Sequence, residues 1–365
     1  MQDSQQVIDS LLRKQPADRV GLNDSPWGDT IEKWVTQGYP TDEEGKGVDA
    51  GEHFGFDLAG AGGWINWEPK LDAGETLEET DEWRITRNGA GAVLKWWKHK
   101  SGTPEHINFA MTDRSVWEAD YKPHLLEVDV RKRFDVEAVR DNLVKYRGRG
   151  LWVHFGSQFI WENMRASMGD YTMYMSLIED PAWIHDFNRT YTDLFKAGYE
   201  MLIAEAGRPD GYWMYEDMGY RERLFCSPKI LGELIFPYYA EMVEFMHGYD
   251  IPVVLHTCGL TEPALDLIVE AGFDGLHPME NKAGNEPFRI AEGYADKLAL
   301  FGGLDVRVFE SGDRALIRRR VKDYVEGMKA RGARLVFGSD HSVSTGVDYE
   351  DYVYAIEVYR EHMLY

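Results

Sequence analysis

The 365-residue sequence predicts a single (β/α)8 barrel. Beyond residue 135, short apolar segments rich in β-branched and aromatic residues alternate with longer segments of helical periodicity. This alternation indicates a parallel sheet with a helix between successive strands. Most of the apolar segments also end in ionisable residues, which is typical of barrels whose active site lies at the C-terminal ends of the strands.

Eight predicted strands share this short apolar character. They are a segment near Val20 and residues 56–60, 150–156, 211–215, 251–255, 274–277, 298–301 and 334–337. Two helix starts, Asp180-Pro181 and Ser227-Pro228, place a capping side chain before a proline at the first helical position. A doubly wound open sheet is the structural alternative, but no G-x-G-x-x-G motif follows a strand.

The N-terminal part, residues 1–130, is less regular, and we expect it to elaborate one domain whose regular βα units occupy residues 131–365. A helix is predicted over residues 5–14. The segment 82–98 alternates in polarity and contains Asn88-Gly89, a strong turn dipeptide, so it predicts a β-hairpin over the barrel mouth. Four tryptophans could either line a pocket there or serve as packing: Trp64, Trp67, Trp96 and Trp97.

Charge and composition narrow the class of protein. The formal net charge of −23 disfavours binding to nucleic acid or to anionic membranes. No apolar run approaches the roughly 18 residues of a membrane span, and the first residues lack the features of a signal peptide. With only two cysteines, Cys226 and Cys258, we expect a cytoplasmic protein with reduced thiols.

The residues at the strand ends are rich in metal-competent side chains. They include His154, Glu216, Asp217, His256, Cys258, His277, Glu280, Asp305, Asp340 and His341. With 11 histidines and 2 cysteines in the chain, chance alone predicts only about 0.06 His-x-Cys pairs.

His256-x-Cys258 therefore stands out. Residues two apart on a strand face the same side, so an imidazole and a thiolate could bind one zinc ion. His341 is the first candidate for a third ligand, and Asp340, Glu280 and Asp217 are the alternatives. A buried cysteine beside a hydrogen-bonded histidine is the competing interpretation.

Six segments together resemble the uroporphyrinogen decarboxylase superfamily, most clearly from about residue 180 to residue 361. They are residues 215–219 (YEDMG), 227–239 (SPKILGELIFPYY), 254–259 (VLHTCG), 272–279 (GFDGLHPM), 301–305 (FGGLD) and 338–351. The resemblance implies the same (β/α)8 barrel. It also offers two chemistries, because the superfamily contains decarboxylases as well as zinc- and corrinoid-dependent methyltransferases.

The motifs favour the methyltransferase branch. The decarboxylases carry an arginine-rich signature similar to R-Q-A-G-R, whereas the matching residues 21–29 (GLNDSPWGD) contain no arginine. The methyltransferases use a His-x-Cys pair and a late cysteine as zinc ligands. His256 and Cys258 match the pair, and His341 stands at the position of the late cysteine. A site with fewer thiolates is a stronger Lewis acid, which favours activation of a methyl ether or a similar donor.

The resemblance thus implies a zinc-dependent enzyme that moves a methyl group between a small substrate and a corrinoid on a separate protein. The substrate would be a methyl ether, a methylamine or a thiol. Asp217, Glu280 and His154 are expected to position it or to move a proton. Three alternatives stay open: a decarboxylase or lyase acting on a smaller acid, a non-catalytic binding barrel, and a zinc hydrolase.

Overall fold

A parallel eight-stranded sheet forms the centre of the computed structural model, which describes residues 1–99, 101–127 and 129–365. Its strands are β1 (Gly21–Leu22), β2 (Leu58–Gly60), β3 (Trp152–Gln158), β4 (Gly211–Tyr215), β5 (Val253–His256), β6 (Gly275–His277), β7 (Ala299–Phe301) and β8 (Arg334–Phe337). Each strand from β2 to β7 pairs in parallel with the next, and β8 pairs with β1. The predicted (β/α)8 barrel is confirmed.

The barrel closes between β1 and β2. The Asp57 N–H donates to the Leu22 carbonyl (2.8 Å), and the Leu22 N–H donates to the Asp57 carboxylate (2.7 Å). The Arg19 guanidinium donates one hydrogen bond to each oxygen of that carboxylate, at 2.7 and 2.8 Å. Asp57 is almost fully buried, so one residue supplies most of the polar bonding at this junction.

Helices fill the connections between the strands. Their bounds are Ser4–Leu12, Gly28–Thr36, Ala50–Phe54, Arg114–Val116, Trp117–Tyr121, Lys122–Leu126, Val130–Arg133, Val136–Arg147, Ile160–Glu179, Pro181–Ala206, Pro228–Leu234, Phe236–Gly248, Glu262–Ala264, Leu265–Glu270, Asn281–Ala283, Pro287–Tyr294, Arg307–Glu310, Arg314–Ala330 and Tyr349–His362. Both predicted caps are confirmed, because Asp180 accepts from the Trp183 N–H and Ser227 from the Ile230 N–H. Within the described residues, none of these helices has the length and apolar character needed to cross a membrane.

The first helix covers the N-terminal end of the barrel. Four of its side chains, Val7, Ile8, Leu11 and Leu12, pack against inward-facing residues of the strands. Its Gln5 N–H donates to the carbonyl of Gly150, just before β3. One end of the barrel is therefore filled by apolar side chains, which leaves the C-terminal ends of the strands as the accessible face.

A four-stranded antiparallel sheet lies beside that face. Its strands, in order, are Glu75–Glu79, Trp83–Arg87, Ala92–Trp97 and Glu105–Phe109. The two central strands form the predicted hairpin, and Asn88 accepts hydrogen bonds from the Ala90 and Ala92 N–H groups in its turn. The outer two strands were not predicted, because they are short and almost every residue in them is exposed.

Several predicted boundaries differ from the structure by one or two residues, and three of these differences have a clear local cause. The first helix ends at Leu12 rather than residue 14, since Lys14 adopts a positive φ of 59°. β3 starts two residues late because Gly150 takes a φ of +73° in a turn that closes the preceding helix. β5 also starts late, because the Ile251 N–H still bonds to the carbonyl of Met246.

Candidate active site

Three potential ligands meet where β4 and β5 end. Asp217, His256 and Cys258 each place one ligand atom within 4.8 Å of the other two. The Cys258 Sγ lies 3.4 Å from His256 Nε2, and Asp217 Oδ1 lies 3.5 Å from the same nitrogen. Zinc bonds of about 2.3 Å to sulfur and about 2.0–2.1 Å to nitrogen or oxygen, at the tetrahedral angle, separate neighbouring ligand atoms by about 3.5 Å. The donor set and its spacing therefore both suit zinc.

The two loops that carry these ligands are locked together. The Cys258 N–H donates to Asp217 Oδ1 (2.8 Å), and the Met218 N–H donates to the Thr257 hydroxyl (3.1 Å). A Cβ on Gly259 would lie 2.3 Å from the Gly219 carbonyl carbon, and the φ of Gly259 is +78°. Only glycine permits this approach, so the glycines of YEDMG and HTCG hold the ligands in place.

The site is half-buried, and its electrostatics suit a cation. Burial lowers the pKa of His256, while the charge of Asp217 acts in the opposite direction. Burial, followed by the charges of Asp217 and Glu280, raises the pKa of Cys258 well above its usual value. Two nearby carboxylates disfavour the thiolate form of Cys258, and a bound metal ion would favour it. Metal binding would therefore lower the pKa of this thiol.

The predicted catalytic residues fall in different places. Glu280 accepts from the Gly259 N–H (2.8 Å) and lies 3.3 Å from the Lys282 ammonium, so it supports the ligand loop. His154 lies inside the barrel, four residues before the end of β3, between the rings of Trp152 and Trp213. Burial lowers the pKa of His154 to about 4, so its ring is neutral. Of the three predicted catalytic residues, Asp217 alone belongs to the cluster, and a catalytic role for any of the three stays a prediction.

His341 is not part of the three-residue cluster. Its ring packs edge-on against Trp27 at 5.8 Å, and it follows β8, which is three strands away from β5. It lies close enough to His256 and His277 that a positive charge on its ring would lower their pKa values. Its assignment as a zinc ligand stays a prediction.

The carboxylate of Asp340, another of the residues predicted as alternative zinc ligands, accepts hydrogen bonds from backbone N–H groups. It accepts from the N–H groups of Asn281 (2.7 Å) and Val306 (2.9 Å). Glu216, next to Asp217, is likewise structural: its buried carboxylate accepts from the Phe159 and Trp161 N–H groups at the start of a helix. These acids brace the loops and leave Asp217 as the carboxylate that faces the histidine and the cysteine.

A cleft of about 890 Å³ extends from Asp217 to the four-stranded sheet. Trp67 and Trp96 line it, in agreement with one of the two interpretations of the tryptophans. Trp64 instead stacks on Tyr215 at 5.1 Å, and the ring of Tyr215 lies 5.1 Å from that of His256. The cleft thus connects the ligand cluster to solvent between the barrel and the small sheet.

Sequence reasoning missed Glu162, which lines this cleft. Arg165 Nη1 donates to Glu162 Oε1 at 2.8 Å. Burial raises the pKa of Glu162 to about 7, Arg165 opposes the rise, and Asp217 adds to it. The residue lies in the first turn of the helix after β3, so its position at the C-terminal face of the barrel was the available signal.

Comparison with known proteins places the chain in a family. The family model described as Uroporphyrinogen decarboxylase (URO-D) matches residues 166–362, just over half of the sequence. The chain belongs to the URO-D family. No curated protein matches it.

A solved structure, a methyltransferase from Methanosarcina mazei, has a similar fold. The TM-score is 0.70 at 15% sequence identity, with 99% of each chain covered. The similarity therefore extends over the whole URO-D-like barrel, including the N-terminal part that the family model does not match.

Proposed function

We propose that this URO-D family member is a zinc-dependent methyltransferase. One observation carries the proposal: Asp217, His256 and Cys258 bring carboxylate, imidazole and thiol ligand atoms within 4.8 Å of one another at the end of a buried strand. Three protein ligands leave a fourth position for substrate, the usual arrangement of a catalytic zinc site. The fold shared with a protein named as a methyltransferase is in keeping with this chemistry.

In this proposal, His256 Nε2, Cys258 Sγ and a carboxylate oxygen of Asp217 hold the metal. When bound, zinc supplies a Lewis acid that polarises the heteroatom carrying the methyl group. Asp217 has a second task, because its hydrogen bond to the Cys258 N–H fixes the loop on which the thiol lies. The backbone bond from Gly259 to Glu280 holds the other side of that loop.

The cleft provides the binding region for a small methyl-bearing molecule. Trp67 and Trp96 give part of its wall an aromatic surface, and Asp217 of the ligand cluster also lines it. The methyl group would pass between that molecule and a corrinoid carried by a separate protein, which needs the open C-terminal face of the barrel. Methyl ethers, methylamines and thiols are the substrate types considered.

Glu162 is suited to handle the proton. A heteroatom that gives up its methyl group gains a proton in its place, and a carboxyl group with a pKa of about 7 holds a proton at neutral pH part of the time. Arg165 fixes the orientation of the Glu162 carboxyl group. In the reverse direction, the same carboxylate would accept the proton from the substrate.

Metal analysis tests the proposal. Purified protein should contain about one zinc ion per chain, as a single three-ligand site requires. Cys258→Ala should lose the metal, whereas Cys226→Ala, which removes the other cysteine, should retain it. A Cys258→Ala protein that keeps both zinc and activity would contradict the proposal, and full activity without metal would favour a decarboxylase or lyase.

A further inference from the structure

The residue next to the ligand cluster on the neighbouring strand is His277. His256 and His277 are register partners at the ends of β5 and β6. Their Nδ1 atoms lie 2.6 Å apart, and the ring centroids are 4.8 Å apart. Two nitrogens this close need one proton between them, with one ring donating and the other accepting.

We propose that His277 is a positioning residue that accepts the Nδ1 proton of His256 and so directs the His256 Nε2 lone pair at the metal. The inference rests on the zinc site proposed above. It assigns a function to a histidine that is not itself one of the three ligands.

The chemistry of the imidazole ring supports this role. A neutral histidine has one N–H and one lone pair, and a metal takes the lone pair. Because His256 Nε2 faces Cys258 and Asp217, metal binding there requires the proton on Nδ1. That N–H then needs an acceptor inside the barrel, and His277 Nδ1 is at hydrogen-bond distance. Metal-bound histidines are commonly oriented by such a partner, usually a carboxylate or a carbonyl.

His277 is itself held firmly enough to act as that partner. Its ring packs edge-on against Trp213 at 5.2 Å, and its carbonyl accepts from the Thr257 N–H at 2.9 Å. The second contact ties the backbone of His277 to the residue between the two cluster ligands of HTCG. In the proposed arrangement, the neutral His277 ring carries its proton on Nε2 and leaves Nδ1 free to accept.

The test compares two substitutions of His277. His277→Asn supplies a side-chain oxygen that can accept close to the position of Nδ1, so this variant should bind zinc within about 3-fold of wild type. His277→Leu removes the acceptor and should weaken zinc binding by about 10–100-fold, the usual effect of losing a partner of a metal-bound histidine. His154→Leu is the matched control, because it removes another histidine buried in the same barrel and should leave zinc affinity unchanged.

A second readout reports the proton directly. Nitrogen-15 NMR of the zinc-loaded protein should show His256 protonated at Nδ1 and His277 protonated at Nε2. A His277→Leu protein that folds and binds zinc within about 3-fold of wild type would overturn the inference, as would His256 bound through Nδ1. If His277→Leu does not fold, the His277→Asn affinity and the wild-type spectrum decide.

These outcomes are separable from failure of the proposed function. Wild-type protein that binds zinc with the expected protonation but transfers no methyl group would reject the methyltransferase proposal and leave the role of His277 standing. Wild-type protein that binds no zinc would reject both.

Discussion

Replacing Asp217 with asparagine separates the two candidates for the third zinc ligand. In Asp217→Asn, the new amide oxygen can still accept the Cys258 N–H that Asp217 accepts at 2.8 Å, so the loop should keep its shape while the site loses an anionic ligand. Four-ligand zinc sites bind with about 10–16 kcal/mol, or roughly 3 kcal/mol per ligand. The loss of one ligand therefore predicts an affinity about 100-fold weaker.

The matched variant is His341→Asn, which should leave zinc affinity within about 3-fold, because His341 lies outside the cluster. Competition for zinc with a chromogenic chelator, at one fixed pH, measures both variants on the same scale. The reasoning fails if Asp217→Asn binds zinc as wild type does while His341→Asn is weakened about 100-fold. That result would assign the third ligand to the late histidine, as the comparison of motifs first indicated.

Three further predictions concern stability and pH. Asp57→Asn leaves the mostly buried Arg19 without its carboxylate. The expected loss of about 4 kcal/mol in the free energy of unfolding should lower the melting temperature by about 5 °C. The same substitution in an Arg19→Gln background should have much less effect, and a drop under about 1 °C in the wild-type background would contradict the prediction. Glu216→Ala removes the acceptor of three hydrogen bonds of 2.6–2.7 Å from buried donors. The free energy of unfolding, measured with urea, should therefore fall by about 3 kcal/mol or more. A fall below about 1 kcal/mol would contradict the prediction and show that these donors find other partners. Asp274 raises the pKa of His247, so wild type should be more stable than His247→Gln, with the full difference below about pH 6.5 and a smaller one as the pH rises through the raised pKa. This difference in the free energy of unfolding should stay under about 1 kcal/mol, since His247 is 41% exposed. A difference that grows with pH would contradict the prediction.

The barrel could be predicted because its strands are buried on both faces. β4, β7 and β8 are short apolar runs whose sequence leaves little choice of structure. The strand Glu75–Glu79 could not be predicted in the same way, since every residue in it is exposed and its pairing depends on the neighbouring hairpin. Sequence patterns detect burial, and this strand has none.

The candidate site was predictable in part for a similar reason. The His256-x-Cys258 pair is local, so one strand end was enough to identify it. The partner Asp217 depends on which strands are neighbours: β4 lies directly beside β5, whereas β8 is three strands away. Strand order alone would have favoured Asp217 over His341, because adjacent parallel strands bring their C-terminal loops together. The roles proposed for His277 and Glu162 depend on side-chain directions that no sequence pattern encodes.

Zinc-dependent methylation of a corrinoid is the most direct test of the proposed function. Zinc-loaded protein, mixed with reduced cobalamin and candidate methyl ethers, methylamines or methylated thiols, should change the cobalamin absorbance for at least one class of donor. The change should disappear in Cys258→Ala and after chelation of the metal, and should persist in Cys226→Ala. Equal methyl transfer without zinc, or release of carbon dioxide from an acid substrate by the metal-free protein, would contradict the assignment.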